Sequence, residues 1–226
     1  MGCPIISDTR THPEKGNTMS IRLYASVLLA LTISPTLSLA SSFGPPDGFA
    51  GNPPNNSNCT LCHSGADINS GDGALELLGL PAEYTPNETY TLTVQLGDPE
   101  QDRWGFEVTV LDVNDPFVQG GQLLVTDKVN TQISLDFNGT EDFLKQTSGG
   151  TQEGVLDGPV SWVFDWTAPD ALLEGVAFYV AGNAANADHG TTGDFIYVSS
   201  YSLDPSSPTP VEESTWGSIK ALYGTE

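Results

Sequence analysis

The sequence predicts an all-β protein, an antiparallel β-sandwich with an extended N-terminal arm and a short C-terminal tail. Three observations predict it. From Tyr84 onward, segments alternate large apolar residues with polar ones at period two, the mark of half-buried strands. Turn residues punctuate these segments, and the chain holds 24 glycines and 16 prolines among 226 residues. No stretch before the tail carries a helical period of useful length.

Residues 1–40 read as a targeting segment. Arg22 precedes the apolar run LYASVLLALTI, Leu23 to Ile33, and a Ser-x-Ala site ends at Ala40. A basic start, a short apolar stretch and small residues at the end make a secretory signal, too short to remain as a membrane span. Met19 stands just before this run and reads as the start. The mature chain then begins near Ser41 and leaves Cys3 and His12 behind. Cys3 follows no apolar run, so it is a poor lipid anchor.

Residues 41–83 form a Gly/Pro-rich arm, and the stretch 41–58 suits extended chain over a surface. The sandwich occupies 84–203. Its expected strands are Tyr90 to Leu96, Trp104 to Asp112, Gln122 to Asp127, Thr131 to Phe137, Val160 to Pro169, Gly175 to Asn186 and Asp194 to Leu203. Asn138-Gly139 after the fourth is a turn signal. Seven such strands at this spacing suit two packed antiparallel sheets. Trp104, Trp162 and Trp166 sit in strand patterns and are expected in the core. Residues 204–213 read as a Pro/Ser/acidic linker. In residues 214–226, Trp216, Ile219 and Tyr223 would share one face of a short helix capped by Ser214 or Thr215.

The formal net charge is −22. Such a chain repels nucleic acid and anionic membrane, which excludes both as partners. The acidic residues are scattered, and the composition reads them as a solvated surface.

The chemistry concentrates in Cys59-Thr60-Leu61-Cys62-His63. This spacing attaches c-type haem. Two intervening residues set the sulfurs about one vinyl-to-vinyl distance apart, and the following histidine lies over the iron. The expected site is one covalent haem c, with Cys59 and Cys62 as its thioethers and His63 as proximal iron ligand. Two other readings stand beside it. An oxidising compartment would also pair Cys59 with Cys62 in a disulfide. A structural zinc site would use both thiolates and His63 but needs a fourth ligand. For a second axial ligand, the mature chain offers no methionine. His189 is its other histidine. It is either a distal ligand or an exposed loop residue that leaves the sixth position to water or a backbone group.

Two carboxylate-rich loops, Asp98/Glu100/Asp102 and Asp112/Asn114/Asp115, could hold calcium, though neither fits an EF-hand. No nucleophile elbow, phosphate loop or HExxH occurs, and the expectation is a non-enzyme.

An ordered set of motifs resembles a known family. GPPDGFAGNPPNNSNCTLCHSG, YTPNETYTLTV, RWGFEVTVLD, WTAP and VAFYVAGNAANADHGTTGDFIYVSS are similar to the bacterial Reeler-like domain called choice-of-anchor V, over about residues 44–203. The resemblance implies an Ig-like β-sandwich on an exported or surface protein with variable C-terminal anchors; with the signal, this places the chain as secreted, periplasmic or on the surface of a bacterium, and the short apolar run leaves no integral membrane span once the signal is removed. It also implies that Cys59, Cys62 and His63 are the haem site. At His189 the resembling sequences more often carry Gly or Asn. The tail ESTWGSIKALYG is similar to a C-terminal motif that follows Pro-rich linkers on exported bacterial proteins. It is read either as a sorting signal or as a small helix docked on the domain. Two functions follow: a haem-binding, electron-transfer module at the envelope with an unidentified redox or cell-surface partner, or a non-redox adhesion or interaction module with a Cys59–Cys62 disulfide.

Overall fold

The structure, a computed structural model, describes residues 42–135, 139–170 and 173–207. The targeting segment, the tail and the Asn138-Gly139 turn's first residue lie outside them. Nine strands run in chain order as β1 (Ala74–Leu78), β2 (Thr89–Gly97), β3 (Arg103–Asp112), β4 (Gln122–Leu124), β5 (Thr131–Leu135), β6 (Asp142–Gln146), β7 (Val160–Thr167), β8 (Val176–Ala185) and β9 (Phe195–Leu203). They form two antiparallel sheets, β1-β2-β7-β4 and β5-β6-β3-β8-β9. The protein is a β-sandwich, as the period-two pattern predicts.

All seven expected segments contain a strand. Two further strands escape the pattern. β1 is only five residues long, and its alternation of Leu75 and Leu77 follows a Gly/Asp-rich stretch. β6 reads DFLKQ, and its burial runs on through four consecutive residues. That suits a strand covered on both faces and hides the period.

The core lies between the sheets. Trp104, Trp162 and Trp166 are all buried there. Trp166 packs edge-on against Tyr84 and Phe178 and stacks on Tyr90, with ring centroids 5.7, 5.0 and 5.6 Å away. Phe106 stacks on Trp162 at 4.5 Å. Each indole N–H donates to a backbone carbonyl: Trp104 to Val155, Trp162 to Gly150 and Trp166 to Gly120, at 3.0, 2.8 and 2.9 Å. The rings therefore bury large apolar area without stranding a donor.

The outer face of the five-stranded sheet is also covered. The segment beginning at Ser42 crosses it. Ser134 on β5 donates to Asp47, Lys145 on β6 donates to Asp47 and to the Pro45 carbonyl, and Phe49 N–H donates to Glu107 on β3 at 2.5 Å. Farther along, a Cβ at Gly51 would stand 2.7 Å from Val198 on β9, so only glycine allows this approach.

Candidate functional site

The site forms where this covering segment meets one end of the five-stranded sheet. Cys59–Leu61 make a single 3-10 turn. Asn58 caps it, its side-chain oxygen accepting from Thr60 N–H at 3.0 Å. Backbone bonds from Cys62 and His63 to the Cys59 carbonyl, at 3.2 and 2.9 Å, continue the turn. Both cysteines and His63 are thus fixed on one short coil. Next to it, Ser64 bridges in parallel to Thr192, and Ser64 N–H donates to the Thr191 carbonyl at 2.8 Å. This ties the motif to the loop between β8 and β9.

Cys59, Cys62, His63 and His189 line one cleft. It encloses about 190 Å³, or about 990 Å³ of empty space when its open mouth is counted. Its apolar walls include Pro45, Pro46, Phe49, Trp104 and Phe106. Sequence alone could not bring β3, β8 and the β8–β9 loop to the CxxCH turn.

His63 makes a short hydrogen bond from Nδ1 to Asp194, whose carboxylate is buried. A carboxylate only accepts, so Nδ1 carries a proton, and in the neutral ring Nε2 keeps its lone pair. The amide nitrogen of Asn183 is almost equidistant from the two ring nitrogens, at 3.2 and 3.3 Å. Equal distances place it beside the carbon between them or over the ring, not along the Nε2 lone pair. That lone pair stays available to a metal.

Both cysteines are free thiols in this structure. The Cys59 thiol is pushed up to about 12, first by burial and next by the nearby Glu107. Such a thiol is neutral at physiological pH and a poor thiolate ligand. A thioether carries no charge, so the same surroundings accept it. Among the described residues, no group of three or more His, Cys, Asp or Glu is arranged to hold a metal ion. The loop carboxylates cap turns: Asp112 accepts from Asn114 N–H at 2.8 Å, and Asp115 from Phe117 N–H at 3.0 Å.

His189 is exposed and held by Arg103, whose Nη1 donates to its Nδ1 at 2.6 Å. An arginine can only donate, so the neutral His189 ring carries its proton on Nε2. Its Nε2 faces Glu153 at 3.9 Å. This is the non-ligating tautomer, and axial ligation through Nε2 would require Arg103 to let go. Among the described residues, Arg103 is the one Arg or Lys lining the cleft, and its Nη2 also donates to Ser42 at 2.7 Å.

Not every acidic residue is solvated surface. Asp98, Glu107, Glu141 and Asp194 are buried, each against a partner from a distant part of the chain or from the covering segment. Composition cannot distinguish them from the exposed majority.

No family model matches the chain, and no curated protein matches it. It is similar to the human F-spondin reeler domain, with 18% identity over 65% of this chain and 98% of that one, at a TM-score of 0.44. A second structure, the Reelin-N domain of F-spondin, matches at 16% identity over 66% and 96%, with a TM-score of 0.43. A cohesin module from a Clostridium perfringens family 33 glycoside hydrolase matches at 11% identity over 60% and 96%, with a TM-score of 0.38. Among the described residues, no helix is long and apolar enough to cross a membrane.

Proposed function

We propose that the protein is a secreted or surface-exposed Reeler-like module that carries one covalent haem c and serves electron transfer. The observation that carries the reading is the convergence of Cys59, Cys62 and His63 on one apolar-walled cleft, with the His63 Nε2 lone pair left available. Each thiol would add across one vinyl double bond, its sulfur forming a bond to one carbon and its hydrogen going to the other. Nothing is lost, so the protein gains the mass of a whole haem. His63 would be the axial ligand through Nε2. When bound, the haem supplies one-electron chemistry, taking an electron from a reduced donor and passing it to an oxidised acceptor.

The chain's own residues hold and shield the group. The 3-10 turn sets the two sulfurs and the imidazole in one frame. Pro45, Pro46 and Phe49 of the covering segment would exclude water from one side. Arg103 offers the cleft a cation, suited to a carboxylate edge.

Expression with c-type maturation machinery, followed by intact mass, tests this. The expected result is the chain plus one haem, retained on denaturation and lost in Cys59→Ala/Cys62→Ala. A mass two hydrogens below the reduced chain, with no haem, would replace the reading with a disulfide-bearing interaction module. In the loaded protein, His189→Ala is expected to leave the ferric spin state unchanged, because Arg103 holds that ring in the non-ligating tautomer. A low-spin to high-spin change would make His189 the distal ligand.

A further inference from the structure

The proposed axial ligand is held by an unusual partner. We propose that Asp194 is a positioning residue that fixes His63 through Nδ1, gives its ring anionic character and so holds the haem site at low potential. This rests on the haem reading.

Three observations carry it. The His63–Asp194 bond joins residues 131 apart in sequence, so it is built by the fold and not by local chain geometry. The Asp194 side chain is 1% exposed and that of His63 15%, so water does not compete for the bond. A charge-assisted hydrogen bond in such surroundings is stronger than one to a neutral carbonyl. The carboxylate is also braced. Its second oxygen accepts from Asn186 N–H at 3.4 Å, and the Asn186 amide donates to the Thr192 carbonyl at 3.2 Å. Gly193, at φ +80°, lets the loop pass Asn186, because a Cβ there would stand 2.7 Å from that amide nitrogen.

The consequence is electronic. A carboxylate on Nδ1–H pulls the proton toward itself and raises the electron density at Nε2. A more basic axial nitrogen favours the ferric over the ferrous state. A backbone carbonyl in the same place would do this more weakly.

Asp194→Asn tests the idea, because the amide oxygen can still accept from Nδ1–H while the charge is gone. In the haem-loaded protein the midpoint potential is expected to rise, with the reduction equilibrium moving about tenfold or more toward the ferrous form, about 59 mV for a one-electron couple. The ferrous iron–imidazole stretch in resonance Raman should fall in frequency. Asp194→Glu should restore part of both. Haem attached in full, with potential and stretch unchanged in Asp194→Asn, overturns the proposal while the haem reading stands. No haem on the wild type overturns both. A readout free of haem is available in the Cys59→Ala/Cys62→Ala protein. Nitrogen-15 NMR of His63 should show the Nδ1–H tautomer, and the Nε2–H tautomer would overturn the proposal whatever the haem result.

Discussion

The two sheets share a core but differ on their outer faces. On the four-stranded sheet, β7 alternates strictly, with Ser161 and Val163 exposed between buried Val160, Trp162 and Phe164. On the five-stranded sheet, β3 is buried at six consecutive positions from Phe106 to Leu111, and outward-facing Glu107 and Thr109 are as dry as the core. The difference is the covering segment. Where water meets a sheet, alternation survives. Where chain lies over it, polar groups are trapped and must find partners. The candidate site lies on the covered side. A group buried there can hold an unusual protonation state, which an exposed strand face cannot offer.

The sharpest way to break the contrast is through what the sheets share. Trp166→Ala removes a ring packed against Tyr84, Tyr90 and Phe178, and should cost about 3–5 kcal/mol in denaturant unfolding. An equal cost is expected whether or not the arm is seated, since Trp166 belongs to the common core.

The covered face gives a different signature. Burial pushes the Glu107 carboxyl up to about 8, against the opposing effects of Lys145, which faces it across β3 and β6, and of the Phe49 N–H. Between its ordinary value and about 8, the folded protein keeps a proton that the unfolded chain has lost. Stability should therefore fall as pH rises through this window, by up to about 1.4 kcal/mol per pH unit. Glu107→Gln should flatten that slope. Unfolding midpoints of both proteins at three pH values check it, and parallel slopes would count against a raised Glu107.

The smallest effect belongs to the wet face. Val163→Thr on β7 should change stability by less than about 0.5 kcal/mol, because that side chain is 41% exposed. A larger loss would mean that this face, too, is covered in solution.

Much of the sandwich was legible, because its inner faces obey the period-two rule: Trp104, Phe106, Val108 and Val110 announce β3, and all point to the core. The outward burial of β3 was not. Nothing in Glu107's neighbours distinguishes a carboxylate under a strap from one in water. The CxxCH turn was legible because its chemistry is local. Asp194 was not, because its partner lies at the far end of the chain and a lone acidic residue in an acidic protein carries no signal. His189 shows the converse. A second histidine suggests an iron ligand, while the Arg103 bond that fixes its tautomer becomes visible only in three dimensions.

The tie between Ser64 and Thr192 joins the first described part of the chain to nearly the last. Closing so long a loop has an entropic cost that local contacts do not meet, and contacts of this separation slow folding. The turn that carries both cysteines is therefore tied down only when the β8–β9 loop arrives, and Cys62 stays exposed even then. Any covalent attachment at Cys59 and Cys62 has the interval before that tie forms in which to occur without working against the folded loop.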